Sequence, residues 1–123
     1  MKFLLDSVIL IDHFNGRSAA SDYLKRVAGE AVVSVITRAE VLAGFDRTAL
    51  PHVAVRVLDR FPTLGIDRDI ADVAAALRRQ HRWRLPDAFQ AALAQHHRLK
   101  LATRNTRDFP PDRFTFVLVP YSV

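Results

Sequence analysis

Residues 2–14 read KFLLDSVILIDHF. From Phe3 onward the segment is apolar enough to be buried, yet Asp6 interrupts it. A carboxylate is costly to bury without a partner. The segment therefore divides in two. KFLL is a short buried strand that ends at Asp6, and SVILIDHF begins a helix that breaks at Asn15-Gly16-Arg17. A strand that hands an acid to its carboxyl end sets the question for the rest of the chain.

Working outward, SAASDYLKRVAG (18–29) reads as a helix with Ala20, Leu24 and Val27 on one face and Gly29 as its stop. AVVSVI (31–36) is short and β-branched, a second buried strand. TRAEVLAGF (37–45) follows at once, with Thr37 and Glu40 at capping-box spacing. PHVAVRVLDRF (51–61) is a helix with Pro51 in its first turn, and TLGI (63–66) is a brief strand. DRDIADVAAALRRQH (67–81) is the clearest helix. Ile70, Val73, Ala74 and Leu77 form its apolar stripe, and Asp67 and Asp69 favour its start. LPDAFQAALAQHH (85–97) is another helix, with Phe89, Ala92, Leu93 and His96 on one face. LKLAT is a strand, RNTRDFPP a loop and FTFVLVP a last strand. Buried strands alternating with helices give an α/β fold, a parallel sheet covered on both faces.

The 123 residues suit one domain over 1–123. Half the residues are hydrophobic and a quarter charged, a globular balance. Without cysteine there is no disulfide framework and no thiolate chemistry. No apolar run has the length of a membrane span, and the N-terminus is a poor secretory signal, so a cytoplasmic location is expected. The net charge of +5 and pI near 10.4 favour a polyanionic partner, nucleic acid above all.

In such a fold, ligands bind beyond the carboxyl ends of the strands. Asp6 follows the first strand, Glu40 lies early in the helix after the second, and Asn105 and Asp108 follow LKLA. These should share one edge; Asp87, at the start of its helix, is less determined. Crowded carboxylates repel one another, and a divalent cation resolves the repulsion. An acidic metal pocket on a basic protein suits a nuclease. Each acid also has a plainer use. Glu40 could complete a capping box, Asp87 could favour a helix dipole, and Asp108 could cap a turn. Asp12 and Asp22 read as exposed helix residues. The histidines have no zinc-ligand spacing, and neither a phosphate-binding glycine loop nor a G-x-S-x-G elbow is present.

The order FLLDSVILID, SVITRAEVLAG and LPDAFQAALAQHHRLKLATRNTRDF resembles the PIN-domain ribonucleases, in particular the VapC-type toxins of toxin–antitoxin pairs. The likeness runs from Lys2 to about Phe109. It implies a three-layer α/β/α sandwich with a short, mainly parallel sheet. It also implies an endoribonuclease dependent on Mg²⁺ or Mn²⁺, and a homodimer neutralised by a cognate VapB-like antitoxin. Carried over by position, Asp6, Glu40 and Asp87 match three metal-holding catalytic acids. Asp108 is the acid available for the fourth role, with Asn105 assisting where such proteins often carry Asp. Ser7 matches the hydroxyl residue after the first acid, and Thr37 and Thr103 lie beside the same edge. Arg104 and Arg107 flank the fourth-acid loop and are candidates for holding RNA phosphate.

Two positions depart from the family pattern: Val8 stands where Asn is more familiar, and Asn105 lowers the charge available to a second metal. These favour the alternative of a degenerate PIN domain that binds nucleic acid or a partner without catalysis. Retention of Asp6, Glu40 and Asp87 favours the enzyme. A receiver domain would need an acid pair at the first strand and a late Lys, and an aspartyl-phosphate phosphatase a second Asp at position 8. For a dimer face the candidates are Leu50, Val53, Val55 and Leu58, which fit ordinary core as well.

Overall fold

The computed structural model describes residues 1–45 and 51–123. Leu50 lies outside the described residues. The chain runs β1 (Phe3–Leu5), α1 (Ser7–Phe14), α2 (Ser18–Val27), β2 (Ala31–Ser34) and α3 (Val35–Ala43). It continues through α4 (Pro51–Leu58), β3 (Thr63–Leu64), α5 (Arg68–His81), α6 (Leu85–His96), β4 (Lys100–Ala102) and β5 (Val117–Leu118). The strand order is β3-β2-β1-β4-β5, and every pairing is parallel. Among the described residues no helix is long and apolar enough to cross a membrane.

Alternation along β1 separates two cores. Leu4 joins Val32, Leu101 and Val117 under α5 and α6, together with Trp83 and Phe109. Leu5 joins Ala31, Val33 and Ala102 under the opposite helices, with Leu24, Val41, Leu58 and Phe61. The three-layer α/β/α arrangement follows. Alanine at 88, 91, 92 and 94, all fully buried, lets α6 lie close to the sheet and to α5.

Some details differ from the sequence reading. The last strand is two residues long, because Phe114 and Phe116 fold into the α5–α6 core cluster. Val73 is 43% exposed, so the stripe of α5 is Ile70, Ala74 and Leu77. His96 is exposed at the end of α6. Leu58 is core, which removes it from any surface patch, whereas Val53 is exposed.

Asp12 is the sharpest difference. It is buried, not exposed. Arg104 grips it with a two-pronged fork, Nε to Oδ2 at 2.6 Å and Nη2 to Oδ1 at 2.8 Å. The Tyr121 hydroxyl donates to Oδ2 at 2.7 Å, and Arg17 lies 3.4 Å away. The hydrogen bond from Arg104 outweighs burial and holds the Asp12 carboxyl below the usual carboxylate range. The fork ties α1 to the loop after β4. Replacing Asp12 by Ala leaves a half-buried guanidinium without its partner. The expected cost is about 2 kcal/mol, measured by urea unfolding at pH 7. An unchanged midpoint would refute it. Because the folded-state pKa is lowered, this contribution is present at neutral pH and is lost as pH falls below about 4.

Candidate active site

Register decides where Asp6 stands. Leu5 pairs with Ala102, so Asp6 and Thr103 emerge side by side from adjacent strands. The Asp6 amide donates to the Ala102 carbonyl at 3.0 Å. Asp6 is also the N-cap of α1, its Oδ1 accepting from the Ser7 amide at 2.9 Å. The backbone is therefore fixed from both sides, and the side chain is 5% exposed.

Two further groups aim that carboxylate. Thr103 Oγ1 donates to Oδ2 at 2.6 Å, and Gln90 Nε2 reaches Oδ1 at 3.3 Å. Gln90 also donates to Thr37 Oγ1 at 2.8 Å and accepts from Ser34 Oγ at 2.6 Å. Thr37 in turn donates to the Leu5 carbonyl at 2.8 Å. Val8, half-buried against the second core, therefore leaves no gap in the support of Asp6. Burial pushes the Asp6 pKa up, against the opposing pull of Thr103, Gln90 and Ser7.

Glu40 does not complete a capping box. The helix α3 begins three residues earlier than a Thr37 cap would start it, and Ser34 is its cap, accepting from the Thr37 amide at 3.0 Å. Glu40 consequently lies beyond the first turn. There its Oε1 accepts from Ser7 Oγ at 3.0 Å. Its carboxyl is raised, first by burial and further by the charge of Asp6.

Asp87 joins the same group from the first turn of α6. It is 6% exposed, and its Oδ2 has no hydrogen-bond partner. Arg84, itself largely exposed, comes only to 3.7 Å. Burial, then the charge of Asp6, with smaller contributions from Asp108 and Glu40, pushes Asp87 up to about 6. Asp108 borders the group from the loop after β4. Asn105 Nδ2 donates to its Oδ2 at 3.0 Å, and Asn105 Oδ1 accepts its amide at 3.3 Å. Trp83 Nε1 pins the loop by donating to the Asp108 carbonyl at 2.9 Å.

The remaining candidates separate. Arg107 is exposed. Arg104 is spent on Asp12, because the edge that would fork a phosphate already forks a carboxylate. The sequence reading misses Gln90, Ser34 and Arg84. A signal for Gln90 is present: it lies three residues after Asp87, on the same helix face. Truncating Gln90 to Ala removes three buried hydrogen bonds, to Asp6, Thr37 and Ser34, and should cost about 1–3 kcal/mol. Chemical denaturation would measure this, and a change below 0.5 kcal/mol (roughly the surface-substitution scatter) would contradict it.

Among the described residues no group of three His, Asp or Glu side chains forms a ready-made metal cage. A hard cation such as Mg²⁺ does not need one, since it takes one or two carboxylates directly and keeps several waters. The orphaned Asp87 Oδ2 and the mutually raised acids fit such an ion.

A parallel sheet that delivers these acids to one edge defines a class of acidic-pocket α/β domain. The PIN-domain family model matches residues 3–110. Ribonuclease VapC10 of Mycobacterium tuberculosis (strain H37Rv) is 39% identical over 114 residues, covering 87% of this chain and 85% of that protein. A chain of a toxin–antitoxin complex from Klebsiella pneumoniae superposes with a TM-score of 0.89 at 38% identity, covering 99% of this chain and all of that one. FitAcB from Neisseria gonorrhoeae shares the fold with a TM-score of 0.79 at 22% identity, over 98% of this chain and 99% of that one. The chain belongs to the PIN-domain family.

Proposed function

We propose that this protein is a divalent-metal-dependent endoribonuclease, the toxin of a VapBC-type pair, working in the cytoplasm. Its partners are an RNA substrate, a VapB-like antitoxin and a second copy of itself. The observation that carries the reading is the placement of Asp6 and Asp87, both buried, with Glu40 and Asp108 at one sheet edge. The 39% identity to a ribonuclease and the 38% identity to a member of a toxin–antitoxin complex support it.

Asp6, Glu40, Asp87 and Asp108 would hold Mg²⁺ or Mn²⁺, directly or through water. Bound there, such an ion would supply Lewis-acid polarisation of a phosphodiester and a water of lowered pKa as nucleophile. The protein's own part is positioning. Thr103 and Gln90 fix the Asp6 carboxylate, and Ser7 spans Asp6 and Glu40, its amide on one and its hydroxyl on the other. Asn105 steadies Asp108. Arg84 offsets part of the negative charge on Asp87 and Glu40.

Purified protein incubated with single-stranded and structured RNAs should cleave with Mg²⁺ or Mn²⁺ and stop on addition of EDTA. Calorimetric titration with either ion should saturate. RNA cleavage that ignores the chelator would overturn the metal role. Absence of both ion binding and cleavage would instead identify a binding module.

A further inference from the structure

Beside Asp108 lies a cavity of about 140 Å³ that Asp6, Glu40 and Asp87 do not line. His81, Trp83, Arg107, Asp108, Arg113 and Phe114 line it. The helix α5 ends at His81, and Arg82 turns the chain through the left-handed region at φ 58°. This turn stacks His81 on Trp83, with ring centroids 4.3 Å apart and planes within 24°. Phe114 meets His81 edge-on at 5.2 Å. The Arg113 guanidinium sits 5.4 Å over the Phe114 ring. Arg107 and Arg113 are both exposed, and among the described residues neither forms an ion pair.

We propose that this cavity is a nucleotide subsite for the RNA strand, adjoining the scissile position through Asp108. Arg107 and Arg113 grip backbone phosphate, and the half-buried His81 ring, backed by the buried Trp83, takes a base. The inference rests on the endoribonuclease reading. Its chemistry is that of single-strand recognition, in which bases are splayed onto aromatic rings while cations follow the backbone. Asp108 forms the wall shared with the acids. Its carboxylate is turned to Asn105 by the 3.0 Å hydrogen bond, so the two guanidiniums face RNA without a competing ion pair. The surplus of positive charge on the chain gives the strand its general attraction, and the stack gives it a place.

Trp83 is the sole tryptophan and lines this cavity, so its emission reports on the stack with His81. The experiment titrates uncleavable complexes: Asp6→Asn protein with a short single-stranded RNA in the presence of Mg²⁺, followed by Trp83 emission and by anisotropy of the RNA. Emission should change saturably. Arg107→Gln with Arg113→Gln should weaken binding about tenfold or more and flatten the log-affinity against log-salt slope by about 1.4, at about 0.7 for each phosphate no longer neutralised. His81→Ala should weaken binding about tenfold while leaving the salt slope unchanged. Lys25→Gln with Arg26→Gln, which removes the same charge from α2, should change affinity less than threefold. Equal losses in both arginine and control pairs, or unaltered Trp83 emission at saturation, overturn the subsite while wild-type cleavage keeps the nuclease reading intact. A wild-type protein that neither binds nor cleaves RNA overturns both.

Discussion

Asp6→Asn should lower metal-dependent RNA cleavage by at least about 10³-fold, roughly 4 kcal/mol of transition-state stabilisation at 1.36 kcal/mol per decade. The replacement keeps the volume and one oxygen, so the sheet and α1 have no steric reason to move. What it removes is the charge at the one position fixed from both sides, by the Ala102 carbonyl behind it and by the Ser7 amide at the helix start. It also sets an amide against donors already aimed at the site, Thr103 Oγ1 and Gln90 Nε2. A preorganised electrostatic site loses most when its central charge is neutralised. Cleavage of a fluorogenic RNA would be compared at equal protein concentration, with circular dichroism as the folding control. Activity within tenfold of the parent would refute the assignment of Asp6.

Asp87→Asn should act in opposite directions on activity and on stability. Cleavage should fall by about 10²-fold or more, because a charged group at the acid cluster is gone. The metal-free protein, however, should become more stable at pH 7.5. Asp87 has a folded pKa raised to about 6 from an ordinary 3.8, so the folded state binds the proton more tightly than the unfolded chain. Its contribution therefore falls as pH rises from about 4, and the full cost is present above about 6. At 1.36 kcal/mol per unit the cost approaches 3 kcal/mol. Thermal unfolding in EDTA should show the variant melting about 10 °C higher at pH 7.5. The difference should shrink towards zero at pH 4. Mg²⁺ should raise the parent's melting temperature more at pH 7.5 than at pH 5 and leave the variant nearly unmoved. A variant that melts lower than the parent at pH 7.5 in EDTA would contradict the buried-charge account.

The fold was readable because apolar runs bounded by turn residues mark parallel strands well. Leu4 and Leu5 already belong to opposite faces by period alone, and Asp6 follows them at the sheet edge. The edge-of-sheet rule converts chain order into spatial neighbourhood for Asp6, Glu40 and Asp108, whereas Asp87 is marked only by the family resemblance. Side-chain partnerships were harder. Asp12 looked exposed because its helix neighbours gave no hint of Arg104, 92 residues away. Ser34 and Thr37 are both good caps by type, and Ser34 takes the role because the Thr37 hydroxyl is engaged with the Leu5 carbonyl and Gln90. Gln90 carries no charge, so nothing in the sequence but its spacing from Asp87 marks an amide that donates to two partners at once.

The central strand pair has a consequence for biosynthesis. β1 is translated first, but the group that completes its acid is Thr103, 97 residues later, just after β4, the strand that must dock beside β1. Long-range parallel pairings of this kind close late, because loop entropy is paid before contacts reward it. A ribosome carrying the first two-thirds of the chain therefore holds a polypeptide whose acids are not yet assembled. The hazard of a nuclease to the RNA machinery that makes it arises only once β4 has emerged and docked.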